Sequence, residues 1–274
     1  MPDLEFMLYE KQENVGVITL NRPERRNAQH EPFLRDLDQA YHLAEADNDV
    51  KVIVLKANGP HFSAGHDIGT PESNEYRKKH PIKHGVDGRY WWESQFYLGL
   101  TKRWRDIPKP TIAAVQGYCI AGGLMLCWPC DLIIAADNAK FSDPVVRMGI
   151  GGVEYFAHPW ELGARKAKEM LFTGQFIDAQ EAHRLGMVNR VVPTDKLVEE
   201  TMKLAKEISQ MPAFALAATK AAVNQTMDMM GQWNAMQAVF TLHQLAHANS
   251  EIETGSAIMG MSAEKMKKAS GVAG

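Results

Sequence analysis

Two glycine-containing stretches, His61-Phe-Ser-Ala-Gly-His-Asp-Ile68 and Gln116-Gly-Tyr-Cys-Ile-Ala-Gly-Gly123, carry the clearest chemical potential in the 274-residue chain. The second leads into an apolar segment of helical character, Leu124 to Trp128. Glycine lets a backbone approach a ligand closely and take positive φ. The first turn of a buried helix offers N–H groups without intrahelical partners and the positive end of the dipole. Such amides can form an oxyanion hole, which stabilises charge developing on a carbonyl oxygen. Taken singly, either stretch is more simply a tight turn.

Two other spacings carry chemistry. Cys127-Trp-Pro-Cys130 has the C-x-x-C pattern of redox sites and of half a zinc site. It lies at the end of an apolar helical run rather than at the start, where a helix dipole would activate a thiol, so buried small apolar residues are the plainer reading. His243 and His247 share one helix face at i, i+4, a spacing that binds metal. No third ligand accompanies them in His-Gln-Leu-Ala-His, and satisfied helix histidines are the expectation.

The elements that must position these residues follow from hydrophobic periodicity. Val15 to Leu20, Val50 to Leu55, Thr111 to Val115 and Asp131 to Ala136 read as strands, and Phe33, Leu37, Tyr41 and Ala44 as an amphipathic helix. Strands apolar throughout are covered on both faces, which with alternating helices predicts an α/β fold with parallel crossovers. Beyond residue 155 the strand signal fades. Asp178-Ala-Gln-Glu181 has capping-box spacing for a helix ended by Gly186, Thr194 can cap a helix carrying Leu197, Thr201, Leu204 and Ile208, and Pro212 opens another. Gln232 to Ser250 reads as a further long helix, and Met227, Met229, Met230 and Met236 as adaptable packing at a core or subunit face. The chain therefore divides into an α/β core, 1–200, and a C-terminal helical region, 201–274. Between Thr70 and Arg105 the first half lacks periodicity and reads as an exposed loop; the second, with Tyr90, Trp91, Trp92, Phe96 and Tyr97, reads either as a helix presenting aromatics to a pocket or as ordinary core aromatics beside a solvated basic surface.

A net charge of -3 and pI near 6.4 argue against nucleic-acid binding as the main role, although Arg22, Arg25 and Arg26 could hold a small anion. The apolar runs are too short to span a bilayer. The N-terminus has no basic stretch followed by an apolar one, and three cysteines are too few for a disulfide framework, so a cytoplasmic location is expected.

Taken together, the motifs resemble those of the crotonase (enoyl-CoA hydratase/isomerase) family. Asn21-Arg-Pro-Glu-Arg-Arg-Asn-Ala28 is similar to its first-loop signature, and Phe62-Ser-Ala-Gly-His-Asp67 to its A-G-x-D loop. Lys109-Pro-Thr-Ile-Ala-Ala-Val-Gln-Gly117 with Ala121-Gly-Gly123 is similar to its second oxyanion loop. Leu171-Phe-Thr-Gly174, Ala179 to Gly186 and Val188-Asn-Arg-Val-Val-Pro193 continue the register. The resemblance implies a spiral of ββα units with a helical trimerisation region, assembled as a homotrimer or dimer of trimers, acting on an acyl-CoA thioester. It places Arg25, Ala28, Ala64, His66, Asp67, Ile68 and Gly122 at the coenzyme A and thioester, with the His66 and Gly122 N–H groups as oxyanion donors. It implies no metal, and no cofactor beyond the coenzyme A moiety of the substrate.

The pattern breaks where family hydratases carry two glutamates: here those positions hold Met125 and Val145. Neither can carry a proton, and general acid–base groups contribute about 10²–10⁴ in rate. Asp143 and Glu154 are the candidate replacements, with Tyr155 and His158 behind them; a turn cap and a solvated helix start are their structural alternatives. The expected activity is a hydratase/isomerase-type lyase, with thioester hydrolysis, decarboxylation or non-catalytic acyl-CoA carriage as alternatives. The unusual Thr70 to Arg105 segment points to an acyl group other than a plain short chain.

Overall fold

In the computed structural model, which describes residues 4–259, the apolar β-branched runs become the strands of a six-stranded sheet. In chain order the strands are β1 (Met7–Gln12), β2 (Val15–Leu20), β3 (Val52–Ala57), β4 (Thr111–Val115), β5 (Tyr118–Ile120), β6 (Leu132–Ala136), β7 (Lys140–Ser142), β8 (Ile177–Asp178) and β9 (Arg190–Val192). The large sheet is ordered β1-β2-β3-β4-β6-β9 and is antiparallel only between β1 and β2. A second, three-stranded sheet is ordered β5-β7-β8. From β4 onward the chain passes repeatedly from one sheet to the other, which is the expected spiral.

Side chains alternate across the large sheet with period two. Val15, Val17, Val52, Val54, Ile112, Ala114, Ile134 and Ala136 face one side. Ile18, Leu20, Ile53, Leu55, Ala113, Val115, Ile133 and Ala135 face the other. The second face is covered by α1 (Glu31–Ala46), which buries Phe33, Leu34, Leu37, Tyr41 and Ala44, and by the segment that follows β3. That segment holds α2 (Pro71–Lys79), α3 (Val86–Glu93), a π-helical turn at Ser94–Gly99 and α4 (Leu100–Arg105). The exposed loop expected after Thr70 is instead α2. Thr70 caps it by accepting from the Ser73 N–H at 3.3 Å, and its polar residues bury nothing, which is why no periodicity announced it.

Helix α5 (Leu124–Cys127) is a single buried turn, and α6 (His158–Leu162), α7 (Ala164–Thr173) and α8 (Ala179–Leu185) flank the smaller sheet. The capping box at α8 is realised: Asp178 accepts from the Glu181 N–H at 2.8 Å. The first sheet face is sealed by α9 (Leu197–Ser209), through Leu197, Leu204 and Ala205. Burying each large aliphatic side chain in this layer is worth about 1.5–3 kcal/mol. Two expectations are corrected here. Thr194 does not cap α9; it opens a 3-10 turn and donates its hydroxyl to Asp137. A boundary at residue 200 would cut through α9, which belongs to the core because it covers the sheet. Helices α10 (Ala213–Met229) and α11 (Gln232–Thr254) follow, and residues 260–274 of the expected helical region lie outside the described residues.

These last helices are fastened to the core by charge. Lys220 of α10 lies 2.8 Å from Asp131 and donates to the Lys109 carbonyl, and Arg105 reaches Asp228 and Gln232. Helix α11 then runs across α3, so residues far apart in sequence face one cavity.

Candidate active site

Three backbone segments lie side by side at the ends of β2, β3 and β4. The loop after β2 bonds the A-G-x-D loop through Ala64 N–H to Arg26 O, Gln29 N–H to Gly65 O and Asp67 N–H to Gln29 O. That loop in turn bonds the segment leading to the glycine pair, through Phe62 N–H to Gln116 O, Ser63 N–H to Tyr118 O and Ile120 N–H to Ser63 O. The lacing fixes the second loop between its neighbours, so its amides are held rather than floating.

Glycine is required where the segments touch. A side chain at Gly65, with φ of 91°, would strike the Ile120 carbonyl at 2.7 Å and stand 3.2 Å from the Gly122 nitrogen. At Gly122 a Cβ would meet the His66 imidazole, 2.6 Å from Cε1. Ala121 between them holds a left-handed φ of 47°, a cost a non-glycine residue bears only when its surroundings impose it. Among the described residues, neither the His66 nor the Gly122 N–H has an acceptor. Gly122 sits in a 3-10 turn at the head of α5, where the first amides lack intrahelical partners.

Next to His66 and Ala121 is a cavity of about 180 Å³ lined also by Ala64, Ile68, Tyr97, Val145 and Glu154, while Gly122 is buried behind the His66 ring and not part of the lining. The His66 ring is part of its wall. It stacks on Tyr97 at 3.8 Å between centroids, and its Nε2 lies 3.1 Å from Glu154 Oε2. Glu154 is buried, and its other oxygen stands 3.5 Å from His243 Nε2. Burial alone would favour the neutral acid, but the His66 and His243 imidazoles outweigh it and hold Glu154 well below the usual carboxylate range. With Glu154 ionised, His66 Nε2 carries the proton of their hydrogen bond. His66 Nδ1 is buried and has no partner among the described residues.

Other candidates are placed elsewhere. Met125 is packed in the core, while Val145 lines the cavity. Asp143 is fully buried off the cavity; it accepts from the Val153 N–H at 2.9 Å and sits 2.9 Å from His158 Nε2. It fixes the loop that delivers Glu154 and does not face the cavity itself, and the same holds for His158 and Tyr155. Asp67 turns inward as well. It pairs with Arg22 at 2.7 Å, with both side chains almost wholly buried, and accepts from Thr70. Arg22 is therefore spent on the fold and not on an anion, while the more exposed Arg25 pairs with Glu72 and Ala28 lies in the same loop. Cys127 and Cys130 are buried free thiols, and burial pushes Cys130 up to about 12, the opposite of an activated redox thiol.

Sequence reasoning missed one partner. Glu93, at the end of α3, comes to the His243 and His247 pair of α11, and all three line the cavity. His243 Nε2 lies 3.4 Å from Glu93 Oε2, and His247 Nε2 lies 3.9 Å from Glu93 Oε1. Burial pulls His243 down, but Glu154 and Glu93 raise it to about 9; burial lowers its neighbour His247. A lone glutamate after two tryptophans carries no local signal that it will be buried.

The spiral of largely parallel strands, the paired glycine loops and the cavity beside them define an α/β protein with two packed sheets and a helical C-terminal region. The chain belongs to the enoyl-CoA hydratase/isomerase family, whose profile matches residues 10–269, and the family is one of enzymes. It is 45% identical over 267 residues to the Mycobacterium tuberculosis protein named "Putative enoyl-CoA hydratase EchA13", covering 92% of this chain and 84% of that one. The crystal structure of a Mycobacterium smegmatis protein titled "probable enoyl-CoA hydratase" superposes with a TM-score of 0.87 at 52% identity, covering 93% of this chain and 100% of that one. An enoyl-CoA hydratase/isomerase from Xanthobacter autotrophicus Py2 does so with a TM-score of 0.79 at 31% identity, covering 92% and 95%.

Proposed function

We propose that the chain binds an acyl-CoA thioester with its carbonyl oxygen at the His66 and Gly122 N–H groups and moves a proton on the acyl chain with the His66–Glu154 pair. The observation that carries this reading is the 3.1 Å contact between His66 Nε2 and Glu154 Oε2, in the wall of the cavity. A carboxylate that accepts from Nε2–H directs the other ring nitrogen, Nδ1, away from itself, so Glu154 fixes the orientation of the imidazole. Proton transfer at the carbon next to the thioester is common to hydration and to double-bond migration, each passing through an enolate. Oxyanion donors are typically worth about 10²–10³ in rate each. The pair thus stands in for the two glutamates replaced by Met125 and Val145.

The test is a panel of enoyl-, β-hydroxy- and β-keto-acyl-CoAs read by product mass, with Glu154→Gln and His66→Ala alongside. His66→Ala keeps the backbone N–H and removes only the imidazole. Both variants should lose at least about tenfold in kcat with affinity little changed, since acid–base groups contribute about 10²–10⁴. Unchanged turnover in either would remove the pair from the mechanism. Non-catalytic acyl-CoA carriage is the second reading, favoured by the apolar residues at both glutamate positions; binding without mass change across the panel would select it.

The same reading makes the protein a cytoplasmic homotrimer or dimer of trimers. Its support is the apolar surface of α10 and α11, where Phe214, Met229 and Ile252 are more than four-fifths exposed in the single chain. Among the described residues no helix is long and apolar enough to cross a membrane.

A further inference from the structure

His243 and His247 each turn Nδ1 toward a backbone carbonyl, Gly152 O at 2.8 Å and Ala257 O at 2.7 Å. A carbonyl only accepts, so both rings carry the proton on Nδ1 and both direct Nε2 inward. The two Nε2 atoms stand 3.1 Å apart, facing each other and the Glu93 carboxylate. A positive charge belongs between the two Nε2 atoms and the carboxylate, either as a proton on one ring or as a metal ion that displaces it. A proton on one ring satisfies a single contact. A metal ion satisfies all three donors together.

The separations fit an ion. Donors about 2.0–2.1 Å from a zinc ion in tetrahedral array lie about 3.3 Å from one another. Here the three pairs are 3.1, 3.4 and 3.9 Å apart. The surroundings have the form that orients metal ligands. Each histidine donates its other nitrogen to a carbonyl, and Glu93 accepts from the Gln244 side-chain amide. All three residues line the cavity, which gives an ion its way in and leaves its remaining position on the cavity side. There Glu154 Oε1 stands 3.5 Å from His243 Nε2.

We infer that Glu93, His243 and His247 form a binding site for one divalent first-row transition ion of the zinc class. Two imidazoles and a carboxylate are donors that suit zinc, cobalt and iron(II), and are poorly matched to calcium or magnesium, which take oxygen ligands. The inference does not depend on the acyl-CoA reading, because the site is complete without substrate.

The test is titration of chelator-treated full-length protein with Zn²⁺ by calorimetry and with Co²⁺ by visible absorption, no CoA ester present. One equivalent should bind, and Co²⁺ should give the intense d–d bands of a low-coordinate site. Glu93→Gln and His247→Gln should each weaken binding at least about tenfold, given that even the partners of metal ligands are worth 10–100-fold. His42→Gln, at an exposed histidine beside Asp38 and Glu45, should leave it unchanged. X-ray absorption of the zinc-loaded wild type should count two imidazole nitrogens, a readout that needs no variant to fold. Failure to bind stoichiometrically, binding indifferent to both cluster variants, or a zinc shell with fewer than two imidazoles would overturn the site. Loss of the acyl-CoA reading, by contrast, would appear only in the thioester panel.

Discussion

At the scale of single residues, the cavity is ruled by which nitrogen of each histidine is committed. Glu154 takes Nε2 of His66 and frees Nδ1, whereas carbonyls take Nδ1 of His243 and His247 and turn Nε2 inward. One residue type thus leaves Nδ1 without a partner on one wall, among the described residues, and brings two Nε2 atoms together on the other. A fourth histidine, His30, reports on stability. It packs edge-on against Phe6, and burial together with the nearby Arg22 lowers its pKa to about 4. Above pH 6.5 the ring is neutral in both the folded and the unfolded chain. As pH falls from 6.5 toward 4 the unfolded chain takes up a proton that the folded chain refuses, so stability should fall across that window. Denaturant midpoints measured across it should decline for the native protein and decline less steeply for His30→Gln. Parallel curves for the two proteins would show that His30 is not the group responsible.

Elements enter through the loops they carry. The loops after β2 and β3 are clasped by the Arg22–Asp67 pair, whose buried charges also take the Ala28 carbonyl and the Thr70 hydroxyl. Removing one partner of a buried pair leaves an uncompensated charge, typically costing 3–5 kcal/mol. Arg22→Met should fall near the lower end, about 3 kcal/mol, because Thr70 still donates to Asp67 twice. Urea unfolding would measure it, and a loss under about 0.5 kcal/mol would mean that the clasp is idle. Helices α3 and α11 act in the same way at longer range: each is amphipathic only in part, and their polar residues meet each other across the cavity.

At the scale of the whole molecule, α10 and α11 leave several large apolar side chains exposed among the described residues. Phe214 is 86% exposed and Met229 89%. Patches of this kind mark protein–protein contacts. Light scattering of the native protein should return three or six times the 30.6 kDa chain mass. Phe214→Asp should shift that mass toward smaller species, because burying a charge without a partner is costly. A monomer at micromolar concentration would refute the trimeric assembly.

The sequence by itself determined the central strands, α1, the capping of α8 and the two glycine loops, because each is set by local rules: period-two burial, helical spacing, caps and positive φ. Four ordered motifs were also enough for the family. It left α2 unread, since a polar surface helix buries no stripe, and it set the core boundary inside α9, since a helix does not announce which sheet it covers. The side chains of the site lay beyond local rules altogether. Asp143 and Glu154 are both acids in one short stretch, yet one is locked by His158 and Val153 and the other is turned to His66. Glu93 meets His243 and His247 only because α11 folds back over α3. Charge and direction at such positions depend on neighbours supplied by distant parts of the chain, and only the tertiary structure brings those neighbours together.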